Sequence, residues 1–164
     1  MTDDNQARPP TTAAPVHEEG VLLRGFPHAE EIGMRTHGAP GGSALISLPY
    51  DDKLVGDIET GVIHGGVVTT LLDTGCGIAV ITRTGGGGVA TLDLRIDYMR
   101  PARPHRILWT RCECYRVTRS VAFARGLAFD GDDEDPVATA AGAFMLTPKT
   151  AGTPDPAAKT GGAP

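Results

Sequence analysis

The residues best suited to chemistry in this 164-residue chain lie in one stretch, GVIHGGVVTTLLDTG, from Gly61 to Gly75. A His64-Gly65-Gly66 turn leads directly into an apolar run, and one carboxylate, Asp73, follows nine positions after His64. A glycine pair at a helix start leaves backbone N–H groups free, and the helix dipole adds partial positive charge there. Such an end suits an oxyanion, or the carbonyl oxygen that becomes one. A lone acid in an otherwise apolar helix is costly to bury without a task or a partner. Together they point to acyl transfer. The same residues also fit a plain turn followed by a hydrogen-bonded core acid.

Helix geometry constrains how the two groups could cooperate. Gly65 and Asp73 are eight residues apart, which is ~12 Å along a helix axis at 1.5 Å per residue. One helix therefore cannot present both to the same carbonyl. If both act, they come from two copies of the helix running antiparallel across a two-fold axis, so a homodimer with two composite sites is expected.

The elements that must position these residues follow from periodicity. A short helix is expected between Phe26 and Gly33, with Pro27 in its first turn, and Ser43 to Leu48 alternates as a strand ended by Pro49. Tyr50 to Gly61 is polar and irregular. His64 to about Thr82 is apolar on nearly every side, which predicts a buried helix; Gly75 and Gly77 within it call for close packing against another backbone. After the loop Gly85 to Gly88, four runs alternate: Val89–Met99, Ile107–Arg116, Val121–Phe129 and Val137–Leu146. In the first, Leu92, Leu94, Ile96 and Tyr98 share one face, opposite Thr91, Asp93, Arg95 and Asp97. The spacing reads as an antiparallel meander, giving an α+β domain with a sheet around a central helix.

Composition bounds the rest. Hydrophobic content of 40% suits one domain, expected over 21–147, with polar tails over 1–20 and 148–164. A net charge of −5 and no basic stripe argue against a nucleic-acid partner. No apolar run is expected to reach the ~20 residues that cross a bilayer, so no membrane partner is expected. Cys76, Cys112 and Cys114 read as reduced thiols of a cytoplasmic protein. Neither they nor the five histidines have metal-ligand spacing.

The segments GVIHGGVVTTLLDTGCGIAV, ATLDLRIDYMRPA and YRVTRSVAFARGLAF resemble the hotdog-fold thioesterases of the phenylacetic-acid-degradation type. The similarity runs from about Gly33 to Leu146. Its most specific parts are the His-Gly-Gly turn with Asp nine positions after the His, and the pattern L-D-x-x-x-x-Y-x-R-P. The resemblance implies hydrolysis of acyl-CoA thioesters by a dimer or tetramer, with no cofactor, CoA being part of the substrate. It implies that the Gly65 amide polarises the thioester carbonyl, beside Gly66. Asp73 of the neighbouring subunit would be nucleophile or general base, His64 would shape the turn, and Thr91 would help hold the lytic water. Several relatives carry Asn six residues before the His; here that position is Ile58, with Asp57, Glu59 and Thr60 as polar neighbours.

For the CoA phosphates the candidates are Arg100, Arg103, His105, Arg116 and Arg119, each of which also reads as a solvated surface cation. Two other functions are carried alongside. One is an acyl-CoA-binding hotdog without hydrolysis. The other is a homodimeric aspartic protease through Asp73-Thr74-Gly75, which would need an apolar strand leading into the aspartate.

Overall fold

A computed structural model of the chain describes Leu23 and residues 25–147; the expected tails lie outside the described residues. The elements are α1 (Pro27–Glu31), β1 (Arg35–Gly38), β2 (Ser43–Leu48), a 3₁₀ turn (Asp52–Leu54), β3 (Val55–Asp57), β4 (Val62–Ile63), α2 (Gly65–Thr84), β5 (Gly88–Tyr98), β6 (Leu108–Val117), β7 (Val121–Phe129) and β8 (Ala138–Thr147). A six-stranded antiparallel sheet in the order β1-β2-β6-β7-β8-β5 packs on α2, and β3 and β4 form a small separate hairpin. This is the expected α+β arrangement, a sheet around a long central helix.

Helix α2 runs two residues further than the sequence pattern suggested, to Thr84. It stops where Gly85 adopts φ 72°, a left-handed cap whose N–H, like that of Gly86, reaches the Ile81 carbonyl. Val68, Leu71, Leu72, Cys76, Ile78, Ala79 and Val80 are buried on it. Removing side chains such as Leu71 and Ile78 from water contributes about 1.5–3 kcal/mol each. Its twenty residues, with a mean hydropathy of 1.4 over the most apolar eighteen, are long and apolar enough to cross a bilayer, contrary to expectation. In the fold the apolar side of α2 lies on the sheet, as in a core helix. Gly75 explains the tightest approach: a Cβ there would lie 2.7 Å from Cys112 Sγ and 3.0 Å from Thr110 Cγ2 on β6. Gly77 does not behave as expected, since a Cβ there meets nothing within 4 Å.

The meander reading is corrected in one place. Strands β6, β7 and β8 are neighbours in sequence order, but β5 pairs with β8 rather than with β6. The chain from 99 to 107 must therefore cross the end of the sheet, and its two prolines suit a crossing rather than a hairpin turn. Strand β5 is left as a sheet edge of 11 residues, much longer than the opposite edge, the four-residue β1.

A bulge also changes which face β5 presents. The register slips between Thr91, opposite Phe144, and Asp93, opposite Ala143, so Leu92 is the extra residue. Thr91 thereby joins Leu94, Ile96 and Tyr98 on the helix side, where simple alternation had put it on the other face.

Candidate active site

The start of α2 is built around the His64 ring. His64 is the N-cap, with φ −61° and ψ 134°, and its Nδ1 accepts the Gly66 N–H at 2.9 Å. An accepting Nδ1 carries no proton, so the ring proton sits on Nε2. A side chain at 66 would place its Cβ 2.9 Å from Nδ1, which accounts for glycine there. The Val67 N–H turns back to the His64 carbonyl at 2.9 Å. Among the described residues the Gly65 N–H donates to no acceptor, so it is the open donor of this helix end.

Eight residues along, Asp73 is half-buried and its Oδ1 accepts a 2.8 Å hydrogen bond from the Thr91 hydroxyl on β5. That bond exists only because the bulge turns Thr91 toward α2. Tyr98, which the sequence marked as a strand residue and as the Tyr of the L-D-x-x-x-x-Y-x-R-P pattern without a role, stands at the other end of β5. Its hydroxyl donates to the Gly65 carbonyl at 2.7 Å and lies 2.8 Å from Thr69 Oγ1. The only sequence signal for it was its place just ahead of the Arg-Pro pair. Both ends of the candidate machinery on α2 are thus tied to the same edge strand. They are not brought together within one chain.

The candidate cations separate clearly. Arg100 and Arg103 are committed to a clamp on Asp130, which is 1% exposed. Arg100 makes a two-pronged contact at 2.9 and 2.7 Å, while Arg103 gives its backbone N–H at 2.6 Å and its guanidinium at 3.1 Å. Both also pair with Asp135. Burial works to raise the Asp130 carboxyl, but the Arg100 hydrogen bonds and the Arg103 N–H outweigh it and hold it below its usual value. The clamp fastens the 99–107 crossing to the β7–β8 loop. It leaves these two arginines, expected at the CoA phosphates, engaged by carboxylates instead. His105 packs against Tyr50, with ring centroids 4.6 Å apart. Arg116 and Arg119 are exposed around the β6–β7 turn, at the end of the sheet where β5 begins, and have no ion-pair partner among the described residues.

Other features bear on the competing readings. Ile58 is 94% exposed at the tip of the β3–β4 hairpin, beside a cleft of about 490 Å³ that Tyr50, Glu59, Thr60 and His105 also line. Asp57 is occupied with the turn itself, accepting from Thr60 Oγ1 and the Glu59 N–H. Asp73-Thr74-Gly75 lies in the middle of a helix, which is not the strand-to-loop setting the protease motif requires. All three cysteines are buried and free; the hydrogen bond with Cys112, then burial, pushes the Cys76 thiol up. Among the described residues no His/Cys/Asp/Glu cluster could hold a metal ion.

Residues 60–137 match the profile of the thioesterase superfamily. A protein of Pseudomonas aeruginosa of known crystal structure is 42% identical, with a TM-score of 0.70 over 77% of this chain and 94% of that one. The PaaI protein from the phenylacetic acid degradation operon of Escherichia coli shares the fold at 16% identity, with a TM-score of 0.69 over 77% and 88% of the two chains. A putative esterase of Halobacterium salinarum is 39% identical over 77 residues, so this chain spans half of that protein's length. The medium/long-chain acyl-CoA thioesterase YigI of Escherichia coli is 25% identical over 135 residues, 74% of this chain and 86% of YigI.

Proposed function

Because this chain belongs to the thioesterase superfamily, as a hotdog of the PaaI type, we propose that it hydrolyses acyl-CoA thioesters at sites shared between two protomers. The observation that carries the proposal is the anchoring of α2 to β5 at both candidate groups, its first residue and Asp73 in its middle. Asp73 is held by Thr91 and the Gly65 end by Tyr98, and β5 is an open edge. A long unpaired edge is a liability that a second strand removes. Antiparallel pairing of β5 with its copy, centred on Arg95, sets Thr91 opposite the partner's Tyr98, because Leu92 is the extra residue of the bulge. Each Asp73 then faces the open Gly65 amide of the other chain, which bridges the ~12 Å that separates them within one helix.

In this site the thioester carbonyl oxygen points at the Gly65 N–H, which stabilises the charge that develops on it as the carbonyl carbon becomes tetrahedral. Asp73 from the partner acts on the other side of that carbon, as base toward water or as nucleophile. Collapse of the intermediate expels the CoA thiolate. The step needs no cofactor. Arg116 and Arg119 are the cations left free for the nucleotide phosphates. A cytoplasmic protein with reduced, buried thiols fits this chemistry, and the resemblance of the sequence to YigI makes medium and long acyl chains the first to try.

The test follows free thiol release from a panel of acyl-CoAs of increasing chain length, with Asp73→Asn beside the wild type. Turnover that needs Asp73 while the assembly stays intact supports the proposal. Saturable CoA binding without turnover by the wild type would make this a binding module instead.

A further inference from the structure

We propose that Tyr98 is a positioning residue for the oxyanion-binding turn, acting through a chain of hydrogen bonds that fixes the tautomer and direction of the His64 ring. The inference rests on the hydrolase reading above, which uses Tyr98 as an anchor of α2 and gives it no effect on the His64 ring. The Tyr98 hydroxyl donates to the Gly65 carbonyl at 2.7 Å. That carbonyl and the Gly66 N–H belong to one peptide group, so drawing electron density toward the oxygen makes the N–H a better donor. The Gly66 N–H is the group that donates to His64 Nδ1, at 2.9 Å. The sequence of bonds is therefore Tyr98 hydroxyl, Gly65–Gly66 peptide, His64 Nδ1, which leaves the ring proton on Nε2. The ring N–H becomes a second donor for the charge on the substrate oxygen.

The geometry around the hydroxyl supports a built contact. Thr69 Oγ1 lies 2.8 Å from the same hydroxyl and 3.2 Å from the Gly65 carbonyl; with the Tyr98 proton on that carbonyl, the Thr69 hydroxyl donates to the phenol oxygen, which is thus held from two sides. The phenol nevertheless belongs to a side chain that is half exposed, with Tyr98 at 52%. A hydroxyl with only a packing role would have no need of two partners at the first residue of α2.

The experiment pairs kinetics with nitrogen-15 NMR of the histidine rings, using Tyr98→Phe, which deletes one oxygen and keeps the ring. In the wild type the His64 signals should report an unprotonated Nδ1 and a protonated Nε2. In Tyr98→Phe the ring should become a mixture of tautomers, kcat should fall about tenfold, and KM should stay within about twofold. Gel filtration and the melting temperature should match the wild type. Should Tyr98→Phe fail to fold, Thr69→Val loosens the same hydroxyl and should shift the tautomer the same way, with a loss of about threefold. A wild-type ring protonated on Nδ1, or a variant with an unchanged ring and unchanged kcat, overturns the proposal. So does a loss of kcat that tracks dissociation while the ring stays as it was. A wild type that hydrolyses no acyl-CoA defeats the functional reading instead, and the NMR comparison still decides whether Tyr98 governs the ring.

Discussion

Gly65→Pro removes one hydrogen from the proposed site and almost nothing else. Gly65 is the first residue of α2, the helix position at which proline is most at home. The residue before a proline must be extended, and His64 already has φ −61° and ψ 134°. No hydrogen bond among the described residues is lost, because the Gly65 N–H makes none. The added Cβ would sit 3.4 Å from the Tyr98 hydroxyl, an ordinary contact. Stability should therefore hold or rise by about 0.4–1 kcal/mol, since proline restricts the unfolded chain. Catalysis should collapse: loss of one oxyanion donor costs about 10²–10³-fold in kcat. The assay is thiol release at saturating acyl-CoA with melting curves in parallel. Gly65→Ala, which keeps the N–H, is the control and should stay within about threefold of wild type. A proline variant that melts normally and keeps more than about a third of wild-type kcat would refute the role of this amide, against the loss expected for a missing donor.

Three further outcomes follow from other contacts. Asp130→Asn leaves Arg100 without its buried counter-charge and should cost about 3 kcal/mol, seen as a fall of roughly 10 °C in melting temperature. The Asp130 carboxyl is held below its usual value, so its contribution is complete above the ordinary carboxyl range and fades as pH falls through the lowered value. The acid loss of stability should accordingly be shallower in Asp130→Asn, as read by melting curves against pH. Gly75→Ala forces a methyl against Cys112 and Thr110 and should destabilise by about 1–3 kcal/mol, whereas Gly77→Ala meets open space and should gain up to about 1 kcal/mol in chemical denaturation. Thr91→Val strips Asp73 of its donor and should lower kcat about tenfold with little change in melting temperature.

How much of this was legible in the sequence differs element by element. The helix from Gly65 was legible because a long apolar run of that length has few other solutions, and β6, β7 and β8 because each alternates over ten residues or so. The place of β5 was not, since alternation marks a strand without naming its neighbour, and the partner β8 lies some forty residues away. The bulge at Leu92 leaves no mark in the hydrophobic pattern, so the face of Thr91 was misread. Arg100 and Arg103 resembled free surface cations because their counter-charge, Asp130, is about thirty residues downstream in a different loop. The short pairings β1, β3 and β4 fell in stretches rich in glycine and charge, where two to four residues carry no periodicity. The His64–Asp73 spacing was fully visible. What it could not disclose was the ring's grip on Gly66, or the hydroxyls that fasten Gly65 and Asp73 to one strand.

The central claim is that each site takes its amide from one chain and its acid from the other. It is tested most directly by mixing two dead variants. Gly65→Pro and Asp73→Asn are each unfolded or dissociated, mixed in equal amounts, reassembled and assayed for acyl-CoA hydrolysis. Random pairing makes half of the dimers hybrid, each with one intact site of two, so about a quarter of wild-type turnover should return. If amide and acid served one site within a single chain, the mixture would stay as inactive as its two components.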